Sequence, residues 1–142
     1  MNTLLIVDGN GLMHRAYHAL PPFKTKSGIP TNVIYGFYSI LHKSIVDYTP
    51  TNVVICFDTP VPTFRNELLK TYQAQRPPIA DDFVPQIGIV KELLDRVPVV
   101  RKELDGYEGD DVIGTVTKKA EKSGFRVLIV TGDKDMMQLV DE

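Results

Sequence analysis

Three short runs constrain this chain more than any other feature. Thr3 to Val7, Val53 to Phe57 and Arg126 to Val130 are nearly all apolar, rich in Val and Ile, and each leads into acid. That profile belongs to parallel strands covered on both faces. A weaker fourth run, Val97 to Val100, contains Pro98 and reads as an edge or a strand start. Helical stretches lie between the runs. Asn32 to Asp47 places Val33, Phe37, Ile40, Leu41 and Ile45 at helical spacing, with Thr31 positioned to cap and Pro50 just beyond the end. Pro85 to Arg96 repeats the pattern with Ile89, Val90, Leu93 and Leu94. Asp110 to Lys122 carries Val112, Ile113, Val116 and Ala120, and Gly124 is placed to close it. Strand alternating with helix predicts one α/β domain with a mostly parallel sheet.

The acids then acquire meaning from position. Asp8 ends the first run, Asp58 the second, and the third passes through Thr131-Gly132 into Asp133 and Asp135. In a parallel sheet these residues gather at the carboxyl ends of the strands, where open α/β sheets bind ligands. Glu108, Asp110 and Asp111 add three more at a helix start. Asp133 and Asp135 are two apart, so an extended chain would turn both toward one face and Lys134 away. Taken singly, each acid is readily explained as a turn former or helix cap. Together they repel: two carboxylates 5 Å apart oppose each other by roughly 3 kcal/mol at an effective dielectric near 20. A pocket of up to seven predicts neutralising cations. The donors are hard oxygens, with no Cys or His in these motifs, so Mg²⁺ or Mn²⁺ is favoured over Zn²⁺. Many carboxylates around two ions point to phosphodiester hydrolysis by paired metals.

Composition narrows the alternatives. The 142 residues are 43% hydrophobic and 24% charged, ordinary globular values that exclude a disordered or collagen-like chain. A single cysteine, Cys56, forms no internal disulfide and reads as a buried thiol within the second strand. The start, Met1 to Asp8, is too short and lacks the basic region of a signal peptide, and no window approaches the roughly 18 apolar residues of a membrane helix. A cytoplasmic domain is the expectation. Sixteen Lys and Arg stand against 18 Asp and Glu, a formal charge of -2 that at first argues against a nucleic-acid partner. Setting aside the seven site acids leaves 11 against 16 bases, so the remaining surface is mildly basic.

Other motifs are weaker. Asp8-Gly9-Asn10-Gly11 lacks the Gly-Lys-Ser/Thr of a P-loop and reads as a tight strand-to-helix turn. His14 and His18, four apart, have no third ligand in view and read as ordinary helix-face histidines. Thr63 to Gln75 is a polar, helix-like stretch bracketed by Pro60, Pro62, Pro77 and Pro78. It carries Arg65, Lys70, Tyr72 and Arg76, which suit phosphate contacts with one aromatic for base stacking.

On these residues the chain resembles the N-terminal part of the 5′→3′ exonuclease domains of bacterial DNA polymerases I, in the flap endonuclease family. The likeness is carried by Val7-Asp8-Gly9, Arg15 to Ala19, Pro30-Thr31 with Tyr35-Gly36, Phe57-Asp58, Thr63-Phe64-Arg65 and Tyr72 to Pro77. Glu108 to Gly114 and Thr131 to Met136 are its most specific blocks. The resemblance implies a PIN-like, three-layer α/β fold over residues 1–142, with a mostly parallel central sheet, helices on both faces and a helical-arch insertion at about 59–85. It implies two Mg²⁺ ions, or Mn²⁺ as a substitute. Asp8, Asp58, Glu108 and Asp110 would surround the first, and Asp133 and Asp135 the second, with Asp111 adjoining. It implies DNA contacts from Arg15, Arg65, Lys70, Tyr72, Gln73 and Arg76. The expected activity is cleavage of DNA at 5′ flaps, nicks and 5′ ends in replication and repair, leaving 5′-phosphates. The family continues into a duplex-gripping helix–three-turn–helix portion that these 142 residues do not contain, so a monomeric piece of a longer nuclease or polymerase is expected, weakly active or inactive alone.

Three other readings are compatible with parts of the sequence: a PIN-like ribonuclease, a receiver-type phosphoacceptor domain with Asp58, Thr131 and Lys134, and a DNA-binding module without catalysis. The arch-like insertion and the doubled acidic motif argue against the first. The absence of paired acids after the first strand argues against the second. The third draws on Gln73, which occupies the position of a family lysine that neutralises the scissile phosphate. Restoring that charge with Gln73→Lys is expected to raise the single-turnover rate on flap DNA. An unchanged or lower rate would contradict the role given to the position.

Overall fold

A computed structural model describes residues 1–59 and 80–140. Arg65, Lys70, Tyr72, Gln73 and Arg76, with most of the expected arch, lie outside the described residues. Among the described residues four strands, β1 (Thr3–Asp8), β2 (Asn52–Cys56), β3 (Val100–Lys102) and β4 (Arg126–Val130), form one sheet in the order β3-β2-β1-β4. Every pairing is parallel. Leu5 lies beside Val53 and Leu128, and Val7 beside Ile55 and Val130. The chain moves from β1 to one side for β2 and β3, then to the other for β4. The order therefore reverses beside β1, and the carboxyl end of β1 is the crevice where such sheets take ligands.

Alternation along the strands builds two cores. Leu5 and Val7, with Ile55 and Phe57, pack against Leu12, Met13, Val33, Phe37, Leu41, Val90 and Leu94. Leu4, Ile6 and Cys56 face the opposite way, against Ile113, Ala120 and Met136. The first core is covered by α1 (Gly9–Ala19), α2 (Asn32–Tyr48) and α3 (Val84–Leu94), the second by α4 (Gly109–Lys122) and a 3₁₀ turn at Lys134–Leu139. The period-2 pattern of β1 thus specifies a three-layer domain. No described helix is long and apolar enough to cross a membrane.

Several local expectations are revised. The fourth strand begins at Val100, after Pro98, instead of occupying 97–100. Pro98 has no N–H for a ladder, and β3 pairs residues 100–102 with 54–56 of β2. The turn after β1 is itself the first turn of α1, because Asp8 accepts from the Gly11 N–H and caps the helix at once. Asp133 is extended, but Asp135 already lies in a 3₁₀ turn, so the two do not share a strand face. Asp133 is the N-cap of the 3₁₀ turn, and its carboxylate accepts from the Asp135 N–H at 2.9 Å.

Thr31 makes no side-chain cap on α2. That task falls to Gln86, a fully buried residue on α3. Its Oε1 accepts from the Val33 and Ile34 N–H groups at 2.7 and 3.1 Å, and its Nε2 donates to Asn32 Oδ1 and the Asp82 carbonyl at 2.8 and 2.9 Å. One amide satisfies four buried groups and fastens the chain after residue 80 onto α2. Tyr17 adds a bond from its hydroxyl to Asp82 Oδ1 at 2.7 Å. Gln86→Ala would leave the Ile34 amide unpaired and the Val33 amide with Asn32 Oδ1 alone, next to a cavity. It is expected to lower stability by about 3 kcal/mol in urea unfolding. A loss under 1 kcal/mol would show that Gln86 is not the cap.

Candidate active site

Asp8 is buried at the carboxyl end of the central strand, with only 7% of its surface exposed. Both its oxygens are engaged: Oδ1 accepts from the Gly11 N–H at 3.0 Å, and Oδ2 from the Thr131 hydroxyl at 2.9 Å. The surrounding glycines follow from this packing. A Cβ on Gly11 would strike the Asp8 carboxylate, and one on Gly9 would strike the Phe57 ring. Asn10, between them, accepts from the Asp58 N–H at 2.7 Å and so ties the exit of β2 to the first turn of α1. Asp58 Oδ1 in turn accepts from the Gly109 N–H, where α4 begins. Asp8, Asp58 and the start of α4 are joined by side-chain to backbone bonds in one small region.

Asp110 completes the group. Its carboxyl is pushed up to about 7, first by burial, then by the negative charges of Asp8 and Asp133, a hydrogen bond with Asp133, and the charge of Asp58. Burial and three neighbouring carboxylates thus act on Asp110 together. Thr131 links two of them, donating to Asp8 and accepting from the Asp133 N–H at 3.1 Å. Burial, with Asp8 nearby, pushes the Cys56 thiol up to about 12, in keeping with an inert core residue.

The remaining acids are placed differently. Glu108 and Asp111 form a reciprocal capping box on α4, the Asp111 carboxylate accepting from the Glu108 N–H at 3.1 Å. Glu108, Asp111 and Asp135 border a groove that runs along α4, and Asp110 borders it as well. Asp133 borders a separate cavity along β4. Asp133 is nevertheless tied to both neighbours, by a hydrogen bond with Asp110 and by accepting from the Asp135 N–H. Arg15 is exposed on α1. His14 packs on the Phe83 ring at 4.8 Å and His18 lies edge-on to Tyr17 at 5.2 Å, so both histidines make aromatic contacts.

As placed, no three Asp, Glu, His or Cys side chains among the described residues close around a common point. The oxygens that would do so are held by amides and a hydroxyl. The donor set nevertheless fits a hard divalent cation: oxygen ligands only, with Asp110 pushed up by burial and by the charges of Asp8, Asp133 and Asp58 around it. Sequence patterns alone did not single out Asn10 and Thr131 as the residues that orient Asp58, Asp8 and Asp133. Their only signal was adjacency to the acids.

The chain matches the family described as 5′-3′ exonuclease, N-terminal resolvase-like domain, over residues 3–142. It is 42% identical over 139 residues to the DNA polymerase I of Bacillus subtilis, covering 98% of this chain and 16% of the polymerase. It is also 42% identical over 142 residues to the 5′-3′ exonuclease of Aquifex aeolicus, covering 100% of this chain and 49% of that protein. The chain spans about half the length of that exonuclease and a small part of the polymerase. Among solved structures, a T5 protein co-crystallised with metal ions aligns with a TM-score of 0.80 at 18% identity, over 99% of this chain and 52% of the other. The bacteriophage T5 flap endonuclease in complex with DNA and metal ions aligns at 0.76 and 19% identity, over 99% and 52%. At that identity the likeness establishes the fold, which is PIN-like.

Asp110 binds its proton more tightly in the folded chain than its ordinary value of 3.8 allows, so its contribution favours folding at low pH and is lost as pH rises through about 7. In metal-free solution Asp110→Asn is therefore expected to raise the unfolding temperature at pH 8, with a smaller gain at pH 5.5. Equal gains at both pH values would show that the four carboxylates are not coupled.

Proposed function

The chain belongs to the 5′-3′ exonuclease, N-terminal resolvase-like domain family, and from that premise we propose that it is the catalytic portion of a divalent-metal-dependent 5′ nuclease acting on DNA. The observation that carries the reading is the convergence of Asp8, Asp58, Asp110 and Asp133 at the strand reversal beside β1. DNA and metal ions in the T5 complex, and the exonuclease among the relatives, support it. The substrates are DNA 5′ flaps, nicks and 5′ ends, and the products carry 5′-phosphates. The setting is cytoplasmic replication and repair, with the chain acting as a monomer.

Mg²⁺ is the proposed ion, with Mn²⁺ able to replace it, since the ligands are carboxylates. Asp8, Asp58, Asp110 and Glu108 would hold one ion, and Asp133 and Asp135 the other, with Asp111 adjoining. When bound, such ions supply Lewis acidity and an activated water for phosphodiester hydrolysis. The chain's own residues set the geometry. Thr131 fixes Asp8 and the backbone of Asp133, and Asn10 fixes the backbone of Asp58. Asp58 and Asp133 would exchange their bonds to Gly109 and Asp135 for cation contacts. Arg15 holds substrate phosphate, as do Arg65, Lys70, Gln73 and Arg76, with Tyr72 stacking on a base, from the segment inserted at about 59–85.

Titration calorimetry with Mg²⁺ or Mn²⁺ is expected to show binding that Asp8→Asn and Asp133→Asn weaken. Any cleavage of 5′-flap DNA is expected to fall about 100-fold or more in either variant. Absence of divalent binding would overturn the site assignment.

A further inference from the structure

The groove along α4 joins two chemistries. One end is bordered by the acids of the proposed site, including Asp110 and Asp111, with Lys102 on the same side at the end of β3; the other by Lys118, Lys119 and Lys122. The cavity is large, about 1300 Å³. Asp111 and Lys122 are eleven residues apart on one helix, so the acidic end and the last lysine are about 16 Å apart along the axis.

Lys118 pairs with Glu121 at 3.4 Å, but among the described residues Lys102, Lys119 and Lys122 make no ion pair. Glu103, which also borders the groove, is occupied by Lys91 at 3.1 Å and Arg101 at 2.8 Å. Compensation of the helix dipole accounts for Lys119 and Lys122 in the last turns of α4. It does not account for Lys102, which comes from another element. Leu104 and Tyr107, between Lys102 and the start of α4, border the same groove with 55% and 45% of their surfaces exposed. A basic groove carrying an exposed aromatic and an exposed aliphatic is the surface that single-stranded nucleic acid uses, phosphates on the cations and a base on the ring.

We infer that this groove seats a single-stranded stretch of the DNA substrate, with Lys102, Lys119 and Lys122 taking its phosphates and Tyr107 a base face. The inference rests on the nuclease reading and extends it: the strand leaves the acidic site along α4, on the sheet face opposite α1 and α2. Neutralised by its ions, the acidic end no longer repels the strand, and the basic end retains it.

Fluorescence anisotropy with labelled oligo-dT and a blunt duplex of equal length tests this, with Ca²⁺ present to neutralise the acids. The paired charge reversal Lys119→Glu and Lys122→Glu is expected to weaken oligo-dT binding at least fivefold. It should also make the salt dependence shallower by about 1.4, two phosphate contacts on a single strand. Duplex binding should change less than twofold. Lys43→Glu, on exposed α2 across the sheet, should leave both within twofold. The gentler pair Lys119→Gln and Lys122→Gln, which preserves helix propensity, should give an intermediate loss with only the small drop in unfolding temperature that lost dipole compensation brings. No oligo-dT binding by the unsubstituted chain, a charge-reversed pair indistinguishable from Lys43→Glu, or equal loss on the duplex would each overturn the inference. Flap cleavage in Mg²⁺ with oligo-dT binding untouched by the reversal refutes the groove and leaves the nuclease reading standing. Lysine-dependent oligo-dT binding without cleavage or divalent binding refutes the nuclease reading and leaves the groove.

Discussion

Both oxygens of Asp8 are bonded, and the arrangement of the site follows from those two bonds. One, from Gly11, starts α1 immediately after the central strand. The other, from Thr131, brings the end of β4 to the end of β1. Each places a backbone or side-chain dipole against a buried carboxylate, which makes its burial tolerable. β1 can therefore end in a charge without unfolding its own terminus. The flanking glycines are required by the same contact, since a larger residue at position 9 or 11 would meet Phe57 or Asp8 itself.

The same economy recurs across the site. Acids that would hold cations are already used as structural acceptors: Asp58 for the Gly109 amide, Asp133 for the Asp135 amide, Glu108 and Asp111 for each other. Helix starts and turn starts offer N–H groups, and those groups hold the carboxylates in place in the absence of positive charge. Among the described residues Asp110 accepts no such backbone bond, and burial with its neighbouring carboxylates pushes its carboxyl up to about 7. A structural role for these acids therefore does not compete with the proposed ligand role, because the same oxygens can serve both.

What could be read from the sequence was whatever depends on local periodicity. Leu4 to Val7 alternates between two cores, and the apolar spacing of α2 and α4 marks their buried faces, so the parallel three-layer arrangement was legible. The convergence of Asp8, Asp58 and Asp133 followed from parallel strands alone. Long-range pairings were not legible. Nothing near Thr31 announces that Gln86, more than fifty residues later, caps α2. Nothing at Asn10 announces the Asp58 amide. Asp133 and Asp135 were misplaced for a local reason: an Asp followed two residues on by a free N–H closes its own turn, and that bond outcompetes extended chain.

Charge distribution resolves the apparent conflict between an acidic chain and a polyanionic substrate. The formal charge of -2 averages over two regions with opposite tasks. Seven of the 18 acids belong to the site motifs, and those at the strand ends are crowded enough to hold Asp110 near neutrality. In the proposed function, divalent ions would cancel most of that charge before DNA arrives. The potential that then remains is set by the lysines, and along α4 these sit beyond the acids in the same groove. Repulsion at one end and attraction at the other therefore act in sequence as ions bind, and net charge alone misses the distinction.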